Sequence, residues 1–583
     1  MTETTFNPAD AADIADAADT AAALGPAALA EVTGAAGSRI DATGVSEHAG
    51  GRQILHHVSF TIQPGELVAL VGGSGAGKTT LLETLAGLRM PSAGQVRHDG
   101  ARIDAGAASR PSVGYVPQDD IIHAEMPLRR TLQYAARLRL PAGTSPEHAD
   151  RVVDQTMSDL NLADRRDVAV RKLSGGQRKR ASIAVELLTQ PRTFFLDEPT
   201  SGLDPSTSAE VVRLLRRLTR RGVTVVLTTH EPATIDRCDQ VIFLARNGHL
   251  AFAGTPSQAR RYFGVDDLAE VYHRLANEGT PRIWAERFAA RRQPAEAPVQ
   301  GARPDDRHSP GVLRQWWLLT RRNTEVLARN RLTLAILLGS PLLVTAMMSM
   351  LFQRGAFDRH GGASVSPAQI VFWLAFDGFF FGLTYGLLQI VGELAIVRRE
   401  YRSGLSIGAY VAAKIGVLVP VLIGVNALLL GVLRVLGRLP AAGWGVYTSL
   451  FVTLVAEAVA ALALGLLASS AVSNAAQAAL ALPMLCFPQV LFAGAVVPVA
   501  GMAAPGRLLS LSLINRYSFE ALGRALRLDR LTGTVPALRG YGDTFAGPVA
   551  YRWLVLAGFA LVFALATVWV LRRRCRPATH GRR

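Results

Sequence analysis

The segment Gly72-Gly73-Ser74-Gly75-Ala76-Gly77-Lys78-Thr79 decides how the first half of this chain reads. Phosphate oxygens are anionic and need several converging N–H donors. Closely spaced glycines let a backbone curl around them, and a helix that follows presents the positive end of its dipole. In such a loop Lys78 brings a point charge to the β- and γ-phosphates and Thr79 offers a hydroxyl to Mg²⁺. The context fits. The apolar run 67–71 has the composition of a strand buried on both faces, and a helical pattern begins at Thr80.

Working outward, short apolar runs at 193–196 and 223–229 alternate with helical stretches such as 205–221. The expected fold is an α/β P-loop NTPase cassette over 39–279 with a largely parallel sheet, whose ligands sit at the carboxyl ends of the strands. The second run ends as Thr193-Phe194-Phe195-Leu196-Asp197-Glu198. A strand that delivers two carboxylates beside a P-loop supplies a Mg²⁺ partner, Asp197, and a group to polarise the attacking water, Glu198.

Four more strings complete a pattern: Leu173-Ser174-Gly175-Gly176-Gln177, Ser201-Gly202-Leu203-Asp204, Gln118 within Val116-Pro117-Gln118-Asp119, and His230 at the end of the third run. With these the chain resembles an ATP-binding cassette transporter. The resemblance implies a signature (Leu173 to Gln177), a D-loop (Ser201 to Asp204), a metal-contacting Q-loop glutamine (Gln118) and a switch histidine (His230). It also implies two cassettes facing head to tail, with ATP held between one P-loop and the Ser174 helix start of the other copy. Lys78, Glu198 and His230 would then be the catalytic groups. One departure concerns the base. The family's aromatic residue upstream of the P-loop has no counterpart in Ala42-Thr43-Gly44-Val45-Ser46, so Val45 is expected to give apolar contact and selectivity for ATP over GTP to be loose.

The remainder of the chain has a different character. Of 583 residues, 49% are hydrophobic, and these concentrate after residue 332. Runs long enough to cross a bilayer are expected at 332–352, 370–390, 412–433, 446–468, 476–499 and 549–571. They form an all-α polytopic membrane domain over 332–571. Before it come a linker (280–311) and an amphipathic connecting helix (312–331) carrying Trp316 and Trp317 among arginines. The net charge of +16 gathers at membrane edges, as at Arg398, Arg399 and Arg572 to Arg574, which fits the positive-inside rule rather than nucleic acid. An even number of spans puts both termini, and a basic tail at 572–583, on the cytosolic side of a cytoplasmic membrane. The loop 501–548 conflicts, since it would be external yet carries Arg507, Arg516, Arg524, Arg527, Arg530 and Arg539. Part of it is expected to be re-entrant.

Cassette first and six spans after is the order of the G-type (White-like) half-transporters, with an ABC-2-type membrane domain. Asn247-Gly248-His249-Leu250-Ala251-Phe252-Ala253-Gly254, Arg399-Glu400-Tyr401-Arg402-Ser403-Gly404 and Arg516-Tyr517-Ser518-Phe519-Glu520-Ala521-Leu522 resemble stretches of that group. The Ala/Arg/Gly bias suggests a bacterial member. The resemblance implies ATP-driven export or flipping of a hydrophobic or amphipathic substrate by a dimer, formed with a second copy or a related half-transporter. An ATP-gated signalling or scaffolding protein is the alternative. The segment 398–407 is expected to dock on the cassette near Gln118. Candidate substrate-path residues are Phe376, Asp377, Phe380, Phe487 and Phe492. Phe372, Trp373 and Phe379 belong to the same aromatic run. Asp377 stands out because an acid inside a span costs about 2.5 kcal/mol or more. Residues 1–38 hold no Lys or Arg and so no signal peptide; they read as an acidic disordered tail with no appended regulatory domain. Cys238, Cys486 and Cys575 have no metal or disulfide spacing.

Overall fold

The computed structural model describes residues 37–103, 112–277, 281–291, 310–354, 357, 367–530 and 536–576. The tail expected over 1–38 lies almost entirely outside them. The chain divides into two compact units, before and after residue 310.

The first unit is built on a ten-stranded sheet: β1 (Ile40–Ala49), β2 (Arg52–Ile62), β3 (Leu67–Gly72), β4 (Ala93–His98), β5 (Ala101–Arg102), β6 (Val113–Val116), β7 (Thr193–Leu196), β8 (Thr224–Thr228), β9 (Gln240–Ala245) and β10 (His249–Gly254), ordered β5-β4-β1-β2-β10-β9-β3-β8-β7-β6. The run β9-β3-β8-β7-β6 is parallel. The other end, β2-β1-β4-β5, is antiparallel, so "largely parallel" holds only for the half that carries the site. Chain length decides the difference. Gly50 and Gly51, both at positive φ, close the β1–β2 hairpin, whereas each parallel pair needs a crossover. Every residue of β3, β7 and β8 is buried.

Helices α1 (Lys78–Leu85), α2 (Leu128–Arg139), α3 (Pro146–Asp159), α4 (Gly175–Leu187), α5 (Pro205–Arg220), α6 (Pro256–Phe263) and α7 (Glu270–Asn277) complete this unit. The expected linker begins later than residue 280, because α8 (Pro281–Ala289) packs on the cassette. Trp284 and Phe288 stand four apart on one helical face. Trp284 meets Phe263 at 5.3 Å and Phe288 meets Phe252 at 5.6 Å between ring centres. Residues 292–309 lie outside the described part.

The second unit is helical: α9 (Val312–Arg329), α10 (Arg331–Leu351), α11 (Pro367–Leu387), α12 (Leu394–Arg402), α13 (Ile407–Val435), α14 (Trp444–Ala471), α15 (Ala475–Leu491), α16 (Ala504–Ser510), α17 (Ile514–Ala525) and α18 (Val549–Cys575). Five helices among the described residues, α10, α11, α13, α14 and α18, are long and apolar enough to cross a membrane. The span expected at 476–499 is the exception. Helix α15 has 17 residues, about 25 Å at 1.5 Å each. It contains Pro483 and Pro488, ends at Phe492, and is followed by Gly494 at φ 92°. The apolar residues beyond it are not helical.

The long loop is not simply external. In α17, Ile514, Asn515, Ser518, Phe519 and Leu522 are buried. Ser518 Oγ donates to Glu457 Oε2 of α14 at 2.5 Å. Two of its arginines are ion-paired: Arg516 shares Glu520 with Arg552 of α18, at 2.9 and 3.0 Å, and Arg524 pairs with Asp529.

Helix α9 runs along the unit with Trp317 about half exposed and the Arg321 guanidinium 5.6 Å above its ring. Its inner face is held to the turn between α12 and α13. Gln315 donates to Gly404 O at 3.1 Å and accepts from Ser406 N at 2.7 Å. Arg322, 1% exposed, makes a two-pronged ion pair with Glu400. The expected basic tail is in part helix: α18 runs to Cys575, and Arg574 donates to the carbonyls of Ser470 and Val472 at 2.6 Å, capping α14.

Candidate functional site: a nucleotide cassette

Strand β3 ends at Gly72, and the loop it feeds returns into α1 at Lys78. Two glycines are obligatory for steric reasons. Gly77 has φ 86°, and a Cβ there would stand 3.0 to 3.3 Å from Leu55 and Ile54. At Gly72 a Cβ would meet the Leu244 carbonyl at 2.6 Å. The Lys78 ammonium reaches back over the loop, donating to the carbonyls of Gly72 at 2.9 Å and Gly73 at 3.1 Å. Burial lowers its pKa, opposed by the nearby Glu198 and Asp197 carboxylates.

The neighbouring strands deliver the acids. Asp197 is 4% exposed. Its Oδ1 accepts from Thr228 Oγ1 at 2.6 Å and from Thr79 Oγ1 at 3.3 Å. Glu198 takes a left-handed backbone, φ 44°, uncommon for a residue with a Cβ. Its amide donates to Thr228 Oγ1 at 2.8 Å, which holds it there. Gln118 Nε2 donates to Glu198 Oε2 at 3.2 Å, and His230 Nδ1 lies 3.8 Å from Glu198 Oε1. Thr79 is thus joined to Asp197, and Gln118 to the adjacent Glu198. A hydroxyl, an amide and a carboxylate are hard oxygen donors, the set Mg²⁺ prefers when it shares a phosphate. The residues present fit that ion.

The signature is a well-formed helix start. Ser174 caps α4, with Gln177 N donating to Ser174 Oγ at 3.3 Å and Ser174 N to Gln177 Oε1 at 3.1 Å. Gly176 is fixed by close approach, because a Cβ there would stand 2.3 Å from Thr207 Cγ2 of α5. Asp204 of the D-loop caps α5, accepting from Ser206 Oγ at 2.6 Å and from Ser206 N and Thr207 N at 3.1 and 3.0 Å, and these bonds, the Ser206 hydroxyl's first, hold its pKa below the usual carboxylate range. Ser201, Gly202 and Leu203 make the preceding turn, with Gly202 at φ 73°.

A cavity of about 700 Å³ is lined by the loop from Gly72 to Thr80, by Glu198 and His230, and on its other side by Arg52, Gln53, Ile54, Asn247 and Tyr272. None of Leu173 to Gln177 lines it. The structure therefore brings P-loop, carboxylates and switch histidine together within one chain and leaves the signature elsewhere. Val45 does not line it either. It is fully buried in the core, so the base contact expected of it is corrected.

Three residues at or beside the site were not singled out from sequence. Thr228 positions both acids, and Tyr272 arrives from a distant helix. Lys179, 4% exposed, donates to the Gln118 carbonyl at 2.7 Å and pairs with Asp120 at 3.3 Å, tying α4 to the Q-loop. The only sequence signal for Lys179 was its place on the α4 face that reads apolar. We expect Lys179→Met to lower ATP turnover several-fold with little change in KM, measured by steady-state phosphate release. An unchanged kcat would leave Lys179 a packing residue.

In the second unit, Phe376 and Phe380 sit together on α11, 6.2 Å between rings, both half-buried. Phe376 and, on α15, Leu482, Leu485 and Cys486 border the same buried cluster around Phe379 and Leu383. Phe372 and Phe379 are buried packing residues, not cavity lining. Phe487 is 65% exposed and Phe492 packs beside Gly506. Asp377 is buried, and its neighbour Gly378 abuts a second acid: a Cβ at Gly378 would lie 3.3 Å from Glu457 Oε2. Glu457, fully buried inside another span, was visible in the sequence and passed over.

Comparison with known proteins agrees with this geometry. The family description "ABC transporter" matches residues 55–201, and "ABC-2 type transporter" matches residues 314–524. The chain belongs to the ABC transporter family. It carries an ATP-binding cassette ahead of an ABC-2-type membrane domain, the half-transporter order. This ABC transporter is 33% identical over 533 residues to an ABC transporter ATP-binding/permease protein of Mycobacterium tuberculosis, covering 89% of the chain and 61% of that protein. Its cassette is 38% identical over 225 residues to Protein white of Drosophila melanogaster, which is 36% of the chain and 32% of that protein. It is 37% identical over 222 residues to the broad substrate specificity ATP-binding cassette transporter of Bos taurus, 37% of the chain and 33% of that protein. The chain thus spans under two thirds of the length of each.

Proposed function

We propose that two copies of this chain form an ATP-hydrolysing exporter, or flippase, of hydrophobic or amphipathic molecules. Its site would be the cytoplasmic membrane, with the cassettes in the cytosol. The observation that carries the dimer is the incomplete cavity: P-loop, Glu198 and His230 line it, while the Ser174 helix start does not. A second copy supplies the missing wall, and a related half-transporter is the other candidate for it. Because every motif on this chain is intact, two equal sites would both work, which favours a homodimer.

In this reading the P-loop amides and Lys78 hold the β- and γ-phosphates. Thr79, Asp197 and Gln118 would hold a Mg²⁺ ion, which would supply positive charge against the phosphates. Glu198 accepts a proton from the attacking water, and His230 orients the γ-phosphate side. The N-terminus of α4 from the partner closes the site with its amides. Closure is favoured because nucleotide contacts both copies only in the closed state. The turn around 398–407 is the element that would receive this motion from the cassette near Gln118. Phe376, Phe380, Phe487, Phe492 and Asp377 remain the substrate-path candidates.

Mixing arms test the pairing. Ser174→Arg and Lys78→Ala are each expected to be inactive as pure dimers. Co-expressed in equal amounts, they should recover about a quarter of wild-type ATPase, since half the dimers gain one intact composite site. Absence of recovery in verified mixed dimers counts against head-to-tail sites. Transport itself is read in inverted vesicles, where ATP should drive uptake of a lipid-like fluorescent amphipath. Hydrolysis without movement of any tested amphipath would favour the signalling alternative.

A further inference from the structure

We infer that Tyr272 supplies the aromatic wall against which the nucleotide base packs, in place of the aromatic residue missing upstream of the P-loop. This rests on the reading that the cavity holds ATP. The cavity has two ends. Glu198 and His230 mark the phosphate end, beyond Lys78 and Thr79. The opposite end is bounded by Arg52, Gln53, Ile54, Asn247 and Tyr272, and has no use in the phosphate chemistry.

That end is a built structure. Ile54 stands beside the P-loop, with Cγ2 3.2 Å from where a Cβ would be at Gly77. The turn holding Asn247, at φ 59°, is pressed onto β2, since a Cβ at Gly248 would overlap the Ile54 carbonyl. Helix α7 then places Tyr272 at the same end. The orientation of the phenol matters. Its hydroxyl oxygen is buried, with no hydrogen-bond partner among the described residues, so the part of the residue that lines the cavity is the ring and not the hydroxyl. Burial also raises its pKa, so the ring stays neutral and electron-rich over any working pH. A neutral aromatic ring in the same cavity lining as Ile54 is a surface for any planar base, and Asn247, also in that lining, offers both a donor and an acceptor. Such a seat binds bases without strong discrimination between adenine and guanine.

The test uses the full-length protein in detergent and two ligands, ATP and inorganic tripolyphosphate, titrated by calorimetry. Tripolyphosphate reaches the P-loop but has no base. Tyr272→Ala should weaken ATP about tenfold, as loss of one base-stacking ring does. Tripolyphosphate affinity should stay within about twofold, and Tyr272→Phe should bind ATP like wild type. Unchanged ATP affinity in Tyr272→Ala overturns the inference. So does a parallel loss of both ligands, which would make Tyr272 a support of the loop. Lys78→Ala separates the two levels: it should weaken both ligands, and if it weakens neither, the cavity reading itself fails.

Discussion

Glu198→Gln is expected to lower ATP turnover by about 10²- to 10³-fold, the usual contribution of a positioned general base, while leaving ATP bound. The substitution keeps the shape and the hydrogen bond from Gln118 Nε2 but removes the charge that accepts a proton from water. It leaves Asp197 and Thr228, the pair that holds the loop, untouched. Its companion, Lys78→Ala, removes the ammonium over the P-loop and should lose both turnover and tight binding. The two are told apart by quantifying nucleotide retained on the purified protein beside phosphate release. Retention of ATP is expected for Glu198→Gln and not for Lys78→Ala. A Glu198→Gln protein that hydrolyses at the wild-type rate would remove Glu198 as base.

The second large effect lies in the membrane unit. Gly378, Gly382 and Gly386 recur every fourth residue on α11 and turn one glycine face toward α14. A Cβ at Gly382 would stand 2.2 Å from the Ala458 carbonyl, and one at Gly386 2.5 Å from that of Leu462. From the other side, Gly465 of α14 comes equally close to the Leu383 carbonyl. These neighbours are backbone, so no rotamer change relieves the clash and the helices must part. Gly382→Leu should therefore abolish the folded membrane unit, and even Gly382→Ala should cost about 1–3 kcal/mol, the range for overpacking. Gly424→Leu on α13, where nothing lies within 4 Å, is the control and should be tolerated. Thermal unfolding in detergent, read as monodisperse protein after heating, distinguishes them. Equal stability of Gly382→Leu and Gly424→Leu would contradict the close crossing.

The site was most legible where chemistry is local. A P-loop, a strand ending in two acids and a capped glycine helix each occupy fewer than ten consecutive residues, so their spacing survives in one dimension. Strands 67–71, 193–196 and 223–229 were legible for a related reason: continuous apolar runs of that length, flanked by helical patterns, have few other uses. What was lost came from contacts distant in sequence. Lys179 looks like any helical lysine until α4 lies against the Q-loop. Tyr272 lines the cavity although it stands almost 200 residues beyond the P-loop in the chain. Helix α8 hid behind its Pro and Arg content, since Trp284 and Phe288 mean little without Phe263 and Phe252. The early end of α15 was not legible because hydropathy does not register Gly494, at positive φ, as a break. The glycines of α11 were present in the sequence, but their meaning depends on which helix they meet.

The clamp on α9 has a mechanical consequence. Gln315 and Arg322 fix it to the Gly404–Ser406 turn and to Glu400, and at its far end Asn330 both closes α9 and caps α10 through Thr333 N. An interfacial rod anchored along its length and jointed at one residue cannot yield piecemeal. A push on the turn must be carried to the root of the first span as leverage, with Asn330 as the pivot.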